Sequence, residues 1–472
     1  MASYEPRRRG DDVLYQVLDR HLSDFLEQAE ESGRGVPVRV RQELNAYLAC
    51  GIPSEGFVLW RCEHCTGFRV VAFRCKGRGF CPSCGGAQMN RVAAHLVDHV
   101  LPEVGVRQWV LTMPYALRFR LAWDIALRRA VHAVLRREVF RYLQRQARFL
   151  GVKGPRCGSV TFIQSFASAL NLNVHFHMLV LDGAITKVEP NQPPTFVPIA
   201  PPRTSDVQDV VDAIAAKVER VLRRRGLLDD DIGEDPDSDD AQRLMMEASV
   251  SGRIALGRRA GRRPRMLRGP PRHPGALPNR CARQGGFNLH AGVSVAARDR
   301  EALERLCRYV GRPPLSYDRL RLRDDGAVEV RLKRPWSDGT HTMVFSGVAF
   351  IARLAALIPP KRAHRIVYGG VLAPHSAWRA AIVPGGSDLP TLPDGGDRGC
   401  ASDHCGEGRS RRRRRLAWAE LLWRVFGVDG RECPLCDQVM RLHAILPGWW
   451  ATDRVLRCLR RTAARGPPQL SP

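Results

Sequence analysis

Asn171-Leu-Asn-Val-His-Phe-His-Met-Leu-Val-Leu-Asp-Gly183 is the stretch on which the reading of this chain turns. Apolar residues fall on both parities, so it reads as a β-strand buried on two faces and internal to a sheet. Side chains two apart along a strand point the same way. His175 and His177 therefore share one face, continued by Leu179 and Leu181, while Val174, Met178 and Val180 lie on the other. Two imidazoles in such a place need partners, because burying polar groups without them is costly. A divalent metal holding a scissile phosphate is one such partner. The pair alone says little: 14 His in 472 residues supply about 0.4 His-x-His pairs by chance. Its surroundings must decide.

Just upstream, Gly158 to Phe166 reads as another strand, joined to the first by the short connection Ala167 to Leu170. A hairpin turning near 169–170 makes paired residue numbers sum to about 339. Gln164 then sits across from His175 on the same face. Two imidazoles and one amide oxygen can hold Mg²⁺ or Mn²⁺ and leave positions for phosphate oxygens. A slip of one residue would turn Gln164 away.

The length suits two or three domains with a substantial core. A net charge of +26 and a pI near 10.4 imply a polyanionic partner, nucleic acid before membrane. No apolar run approaches the ~20 residues of a membrane span, and the N-terminus lacks the apolar core of a signal peptide, so a cytoplasmic protein is expected. The cysteines include three Cys-x-x-Cys pairs, Cys62/Cys65, Cys81/Cys84 and Cys433/Cys436, where chance supplies about 0.4. In a reducing compartment that excess points to metal rather than disulfides.

Three regions are expected. Residues 1–105 hold an amphipathic helix near 13–31, the cysteine region and a second helix ending before Pro102. Residues 106–345 carry a strand at 106–112, a long arginine-rich helical region at 117–149, the two strands above, and an insertion near 184–285 read as disordered or loop-rich apart from a helix over 207–225. Residues 346–472 form a basic C-terminal region with the arginine run 411–415 and the Cys433/Cys436 half-site.

Cys62-Glu-His-Cys65 and Cys81-Pro-Ser-Cys84, 15 residues apart, have the spacing of two knuckles that give four thiolates to one structural Zn²⁺. Cys75 inside the loop can replace one ligand. Between the knuckles, Arg69, Arg74, Lys76 and Arg78 alternate with Phe68, Phe73 and Phe80. This pattern suits either a phosphate- and base-contacting surface or charges snorkelling over a small core. For a possible second zinc at Cys433 and Cys436, the candidate completing ligands are Cys400, His404, Cys405 and His443, none with telling spacing.

Asp299 can cap a helix bearing Leu303, Leu306, Cys307 and Val310 on one face. Tyr309 lies three residues past Leu306, about 60° off that stripe, where it can face a site while the stripe packs on the sheet. Spacing alone would favour an ordinary core tyrosine. Arg305, Arg308 and Arg312 surround it with positive charge suited to phosphate, and Tyr317 is a second candidate nucleophile in the following loop.

At this point the chain resembles a known family. Cys62 to Cys84, Arg107-Gln-Trp-Val-Leu-Thr-Met-Pro114, Ser168-Ala-Leu-Asn-Leu-Asn-Val-His-Phe-His177 and Arg308-Tyr-Val-Gly-Arg-Pro-Pro314 look like the transposases of the insertion-sequence ninety-one family, and Val371-Leu-Ala-Pro-His375 and Cys433 to Cys436 agree. The resemblance is weakest over 184–250. It implies an α+β fold of HUH-endonuclease type: a central antiparallel sheet flanked by helices, preceded by a zinc-binding domain. It also implies a rolling-circle transposase of the bacterial cytoplasm and nucleoid. By that similarity, Tyr309 would attack a single-stranded DNA phosphate and form a 5′-phosphotyrosine, with a metal on His175 and His177 polarising the phosphate. No nucleotide cofactor is needed, since the covalent link conserves the phosphodiester energy. Some members have a second tyrosine four residues earlier; here that residue is Arg305, so a single-tyrosine version is expected. The rivals are a replication initiator or relaxase of the same chemistry, and a zinc-dependent DNA-binding protein that cuts nothing.

Overall fold

The computed structural model describes residues 10–384 apart from 11, 33–34, 66, 188–192, 228–240, 272–274, 276 and 361. It also describes 431–448 apart from 434, and 454–459 apart from 458. Helix α1 (Val13–Glu31) starts where the Asp12 side chain accepts from Tyr15 N–H at 2.7 Å, and buries Leu14, Val17, Leu18, Leu22 and Phe25 at helical spacing. After α2 (Val38–Leu48), strands β1 (Gly56–Cys62) and β2 (Phe68–Ala72) form a hairpin, and α3 (Pro82–His99) rises from Cys81. Strand β3 (Val106–Thr112) precedes α4 (Tyr115–Trp123) and α5 (Ile125–Phe149). The arginine-rich helical region is split at Asp124, which caps α5 by accepting from Leu127 N–H at 2.8 Å.

Then come β4 (Gly158–Phe166), β5 (Leu172–Leu181), β6 (Gly183–Thr186) and β7 (Thr195–Pro198), followed by helices α6 (Thr204–Arg223) and α7 (Ala241–Val250). Strands β8 (Arg265–Arg268), β9 (Cys281–Gln284) and β10 (Phe287–Val295) lead to α8 (Arg300–Gly311). Strands β11 (Leu320–Leu322), β12 (Val328–Arg331) and β13 (Thr340–Phe345), helix α9 (Gly347–Ala355), β14 (Ile366–Gly370), α10 (Arg379–Ile382) and β15 (Met440–Pro447) complete the described chain.

The central sheet has the order β14-β4-β5-β3-β10-β9, with every pairing antiparallel. Strand β5 is hydrogen-bonded on both edges, as its apolar double face requires. Its turn is tight: Leu170, fully buried, takes a left-handed φ of +55°, and Ala167 N–H reaches Asn171 O at 3.0 Å. A non-glycine residue holds that conformation only where its surroundings enforce it. The resulting register pairs Gln164 with His175, and a bulge follows before Phe166 meets Leu172. At the far end Arg107 on β3 clamps Asp182 with two bonds of 2.7 and 2.9 Å and the Ala291 carbonyl of β10 at 3.0 Å.

The two faces of β5 meet different layers. Val174, Phe176, Met178 and Val180 pack into the larger core under α5, where His132 meets Phe176 edge-on at 5.5 Å. Leu179 and Leu181, on the histidine face, pack with Ala93, Leu96 and Val97 of α3 and with Leu303, Leu306, Cys307 and Val310 of α8. The histidine face is thus roofed by α3 and α8.

Two expectations change. Over its described residues the insertion near 184–285 is not loop-rich. Val207, Val211, Ile214 and Val218 of α6 and Met245 and Met246 of α7 are buried in the core, because their apolar faces have the helical period. Nor does the described chain beyond 346 stand apart, since α9 is buried throughout and β14 is an edge strand of the central sheet. The hairpin expected around Ser337-Asp-Gly-Thr340 is present as β12–β13.

His132 offers a test of this packing. It is buried on α5 with Nε2 2.9 Å from Thr161 Oγ1 of β4, and burial, then Arg136, pushes its pKa down to about 4. The unfolded chain therefore takes up this proton first. The stability that neutral His132 contributes is complete above ~6.5, falls as pH drops below that value, and is gone below about 4. Urea titrations of wild type and His132→Gln between pH 6.5 and 4.5 should show the wild-type unfolding free energy falling more steeply, by up to ~1.4 kcal/mol per pH unit. Equal slopes would mean that His132 is not held neutral.

Candidate active site and zinc sites

The histidine rings of β5 lie with centroids 4.9 Å apart, inclined at 65°. His175 Nδ1 is 2.8 Å from the carbonyl of Asn173, which places the proton on Nδ1 and leaves the Nε2 lone pair free. His177 Nδ1 lies 2.7 Å from the side-chain amide nitrogen of Gln108 on β3. With that amide turned by 180°, Gln108 accepts from Nδ1–H and His177 Nε2 is likewise free. His177 Nε2 is buried with no hydrogen-bond partner among the described residues. Burial pushes the His175 pKa down to about 4, with Arg312 and Arg118 adding to the effect and the Asn173 carbonyl opposing it. Burial, then His175 and Arg312, takes His177 to about 2. Both imidazoles are neutral at pH 7, the form that binds metal.

Gln164 stands across from His175, as the hairpin register requires. Its amide nitrogen donates to the Val310 carbonyl at the end of α8, and its buried Oε1 has no partner among the described residues. Two orphaned buried atoms, His177 Nε2 and Gln164 Oε1, beside the free Nε2 of His175 form a donor set that fits Mg²⁺ or Mn²⁺. Gln108 and Asn173 carry no sequence signal as supporting groups. Each acts through a nitrogen of a histidine that the motif had already singled out.

Helix α8 brings Tyr309 to this face. Asp299 caps the helix by accepting from Ala302 N–H at 2.9 Å, and Leu303, Leu306, Cys307 and Val310 are buried as their spacing requires. Tyr309 is 50% exposed, so it is not a core tyrosine. Its ring stands perpendicular to His177 at 6.1 Å, and the Arg312 guanidinium lies 4.6 Å from its centroid. Arg308 and Arg305 instead pair with Glu304 and Glu301 one turn back on their own helix. Tyr317 sits in a short 3₁₀ turn and is 38% exposed, whereas the ring contacts of His177 run to His175 and Tyr309. Lys333 adds to the positive field: burial, then Arg312 and Arg319, brings its pKa down to about 8.

The zinc ligands are distributed differently from the single site expected. Cys81 and Cys84 cluster with Cys50 and Cys75, whereas Cys62 and Cys65 cluster with Cys433 and Cys436. The reason is the β1–β2 hairpin. Cys62 N–H bonds Gly67 O at its turn, while Ala72 is already back opposite Phe57, near the other end. Five residues of strand separate the two ends by roughly 15–17 Å, too far for one ion with ~2.3 Å bonds. In the first cluster, Cys50 lies 3.8 Å from Cys81 and 3.7 Å from Cys84, and Cys75 lies 3.5 Å from Cys84. Cys75 is a full member. Cys50, just past α2, was missed because it belongs to no Cys-x-x-Cys pair. Cys400, His404 and Cys405 lie outside the described residues, and His443 is exposed on β15 and not in the cluster.

The basic loop between the clusters also resolves. Phe80 is buried against Tyr47, with ring centroids 5.4 Å apart, and so belongs to the core. Arg74, Lys76 and Arg78 line a cavity of about 1330 Å³ that they share with Gln164 and the Val310–Gly311 end of α8. Zinc knuckle and tyrosine helix meet directly here: a Cβ on Gly85 would come within 2.6 Å of Pro313 Cβ.

No helix among the described residues is long and apolar enough to cross a membrane. Two family models match the chain. The "Transposase zinc-binding domain" covers residues 17–113, from within α1 to the strand that carries Gln108. The "Putative transposase" model covers 158–379, from the first residue of β4 through His175, His177 and Tyr309. No curated protein and no solved structure matches. The chain thus carries the zinc-binding and transposase domains of a DNA transposase, has cysteine clusters suited to structural zinc, and resembles the insertion-sequence ninety-one family.

Proposed function

We propose that the chain is a single-tyrosine, HUH-type rolling-circle transposase that cuts and rejoins single-stranded DNA at element ends. The observation that carries this reading is the ring of Tyr309, half exposed, standing against His177 on the face where His175, His177 and Gln164 leave donor atoms unused. In the reaction, Tyr309 Oη attacks phosphorus and the phenolic proton leaves. The P–O3′ bond breaks, and its electron pair stays on the 3′ oxygen, which takes up a proton. The product is a 5′-phosphotyrosine and a free 3′-hydroxyl, and attack by a 3′-hydroxyl reverses the step to rejoin strands.

Mg²⁺ or Mn²⁺ held by His175, His177 and Gln164 would polarise the phosphate. Arg312, stacked on the tyrosine ring, offers positive charge to a phosphate oxygen. Gln108 positions His177 through its side-chain amide at Nδ1. The cavity lined by Arg74, Lys76 and Arg78 adjoins this site, and its charge and breadth suit the strand that flanks the scissile phosphate. Arg305 and Arg308, paired within α8, contribute less. With Arg305 in place of a second tyrosine, Tyr309 acts in turn on both cleavages, and Tyr317 is the alternative second nucleophile.

Labelled single-stranded end DNA incubated with the protein and Mn²⁺ should yield a covalent adduct that Tyr309→Phe abolishes. An adduct that survives in this variant removes Tyr309 from the role. His175→Ala with His177→Ala should lose cleavage and keep DNA binding; loss of binding as well would make the histidines structural. Wild-type protein that binds but never forms an adduct would instead be a non-cutting DNA-binding protein.

The positioning role of Gln108 has its own readout. Mn²⁺ affinity, followed by the electron paramagnetic resonance of free Mn²⁺, should weaken roughly 10–100-fold in Gln108→Leu. Affinity equal to wild type would show that Gln108 does not set the His177 tautomer.

A further inference from the structure

Residues 431–448 fall outside both matched domains, yet they return to the N-terminal hairpin and lay β15 along β1 from Gly56 to Cys62. Little apolar burial accounts for that docking. Leu442 and Ile445 of β15 are 52% and 60% exposed, and Leu435 and Val439 before it are more exposed still. Among the described residues the local core comprises Cys62, Cys433 and Met440, flanked by Trp60, Cys65 and Cys436. A core this small is of the kind that metal staples support.

The cysteines have the geometry of one. Cys62 Sγ lies 3.5 Å from Cys436 Sγ, and Cys65 Sγ lies 3.5 Å from both Cys433 and Cys436. A tetrahedron with ~2.3 Å Zn–S bonds has sulfur–sulfur edges of about 3.8 Å, whereas a disulfide would need ~2.05 Å. The Gly67 N–H donates to Cys65 Sγ at 3.3 Å, a bond that stabilises thiolate. Gly67 also makes room for the facing knuckle, because a Cβ there would come within 2.7 Å of Cys433 Sγ and 3.1 Å of Cys65 Sγ. The first cluster, Cys50, Cys75, Cys81 and Cys84, lies wholly within the matched zinc-binding domain and has no need of these residues.

We propose that Cys62, Cys65, Cys433 and Cys436 hold a second Zn²⁺, which clasps the segment 431–448 onto the β1–β2 hairpin. The clasp joins knuckles 368 residues apart in sequence. It makes the N-terminal zinc module a composite of both chain ends, independent of the first site and of the strand chemistry proposed above.

Zinc content of the full-length protein, purified under reducing conditions and measured by plasma mass spectrometry, tests this. Wild type should carry about two zinc per chain, the number of four-thiolate sites. Cys433→Ser with Cys436→Ser should carry about one and keep the wild-type far-ultraviolet circular dichroism. A wild-type content near one, or two in the double variant, overturns the clasp.

Should the variant fail to fold, alkylation of native wild-type protein decides. Cys62, Cys65, Cys433 and Cys436 should resist iodoacetamide together and become reactive together once a chelator removes zinc. Free reactivity of Cys433 and Cys436 before chelation overturns the proposal, as does an intact mass showing disulfides in place of metal.

Discussion

The cost of burying two imidazoles on an internal strand governs the architecture around the site. His175, half-buried, and His177, buried, stand on β5 with strands on both sides and helices above, where protein groups replace much of the water. The fold answers nitrogen by nitrogen: the Asn173 carbonyl takes one Nδ1, Gln108 of β3 meets the other, and both Nε2 atoms are left on the same side. Such a face can be built only if the strands on either side of β5 are in register to within one residue. The buried left-handed turn at Leu170 and the Arg107–Asp182 clamp secure that register at opposite ends of the sheet.

The zinc module belongs to the same construction. Helix α3 begins at the Cys81–Cys84 knuckle, where Cys84 N–H donates to Cys81 Sγ at 3.5 Å, and its other face packs against α8. Fixing the start of α3 therefore fixes the roof over the histidine face and the helix that presents Tyr309. Gly85 against Pro313 marks the close approach. Charge follows the same geometry. Arg74, Lys76 and Arg78 of the cysteine loop face a cavity that Gln164 and the end of α8 also line, so basic residues distant in sequence converge beside the candidate site.

Much of this was legible in advance because local periodicity carries it. The double-faced strand at 171–183, the helix capped by Asp299 and the hairpin placing Gln164 opposite His175 each depend on neighbours within about 20 residues. Tyr309 at the shoulder of α8 was also within reach, though spacing alone favoured a core tyrosine; its exposure comes from where α8 lies on the sheet. The insertion near 184–285 was legible only in part: the helical period over 207–225 anticipates α6, whereas α7, which follows the acidic stretch, was not foreseen. The cysteines misled. Two Cys-x-x-Cys pairs at zinc spacing looked like one site, but the strand hairpin between them drives the pairs to opposite ends.

By itself, then, the sequence determined the elements around the site, the strand faces, the polyanion-binding charge and the transposase resemblance, since these follow from side-chain period and local composition. Tertiary structure decided which cysteines share a metal, that Gln108 supports His177, that Arg312 rather than Arg305 or Arg308 lies on the tyrosine ring, and that residues 431–448 return to the first hairpin. Each of these is a meeting of groups that no local period encodes. Metal geometry, imidazole tautomers and ring stacking are all settled at separations of a few ångströms between residues as far as 368 positions apart.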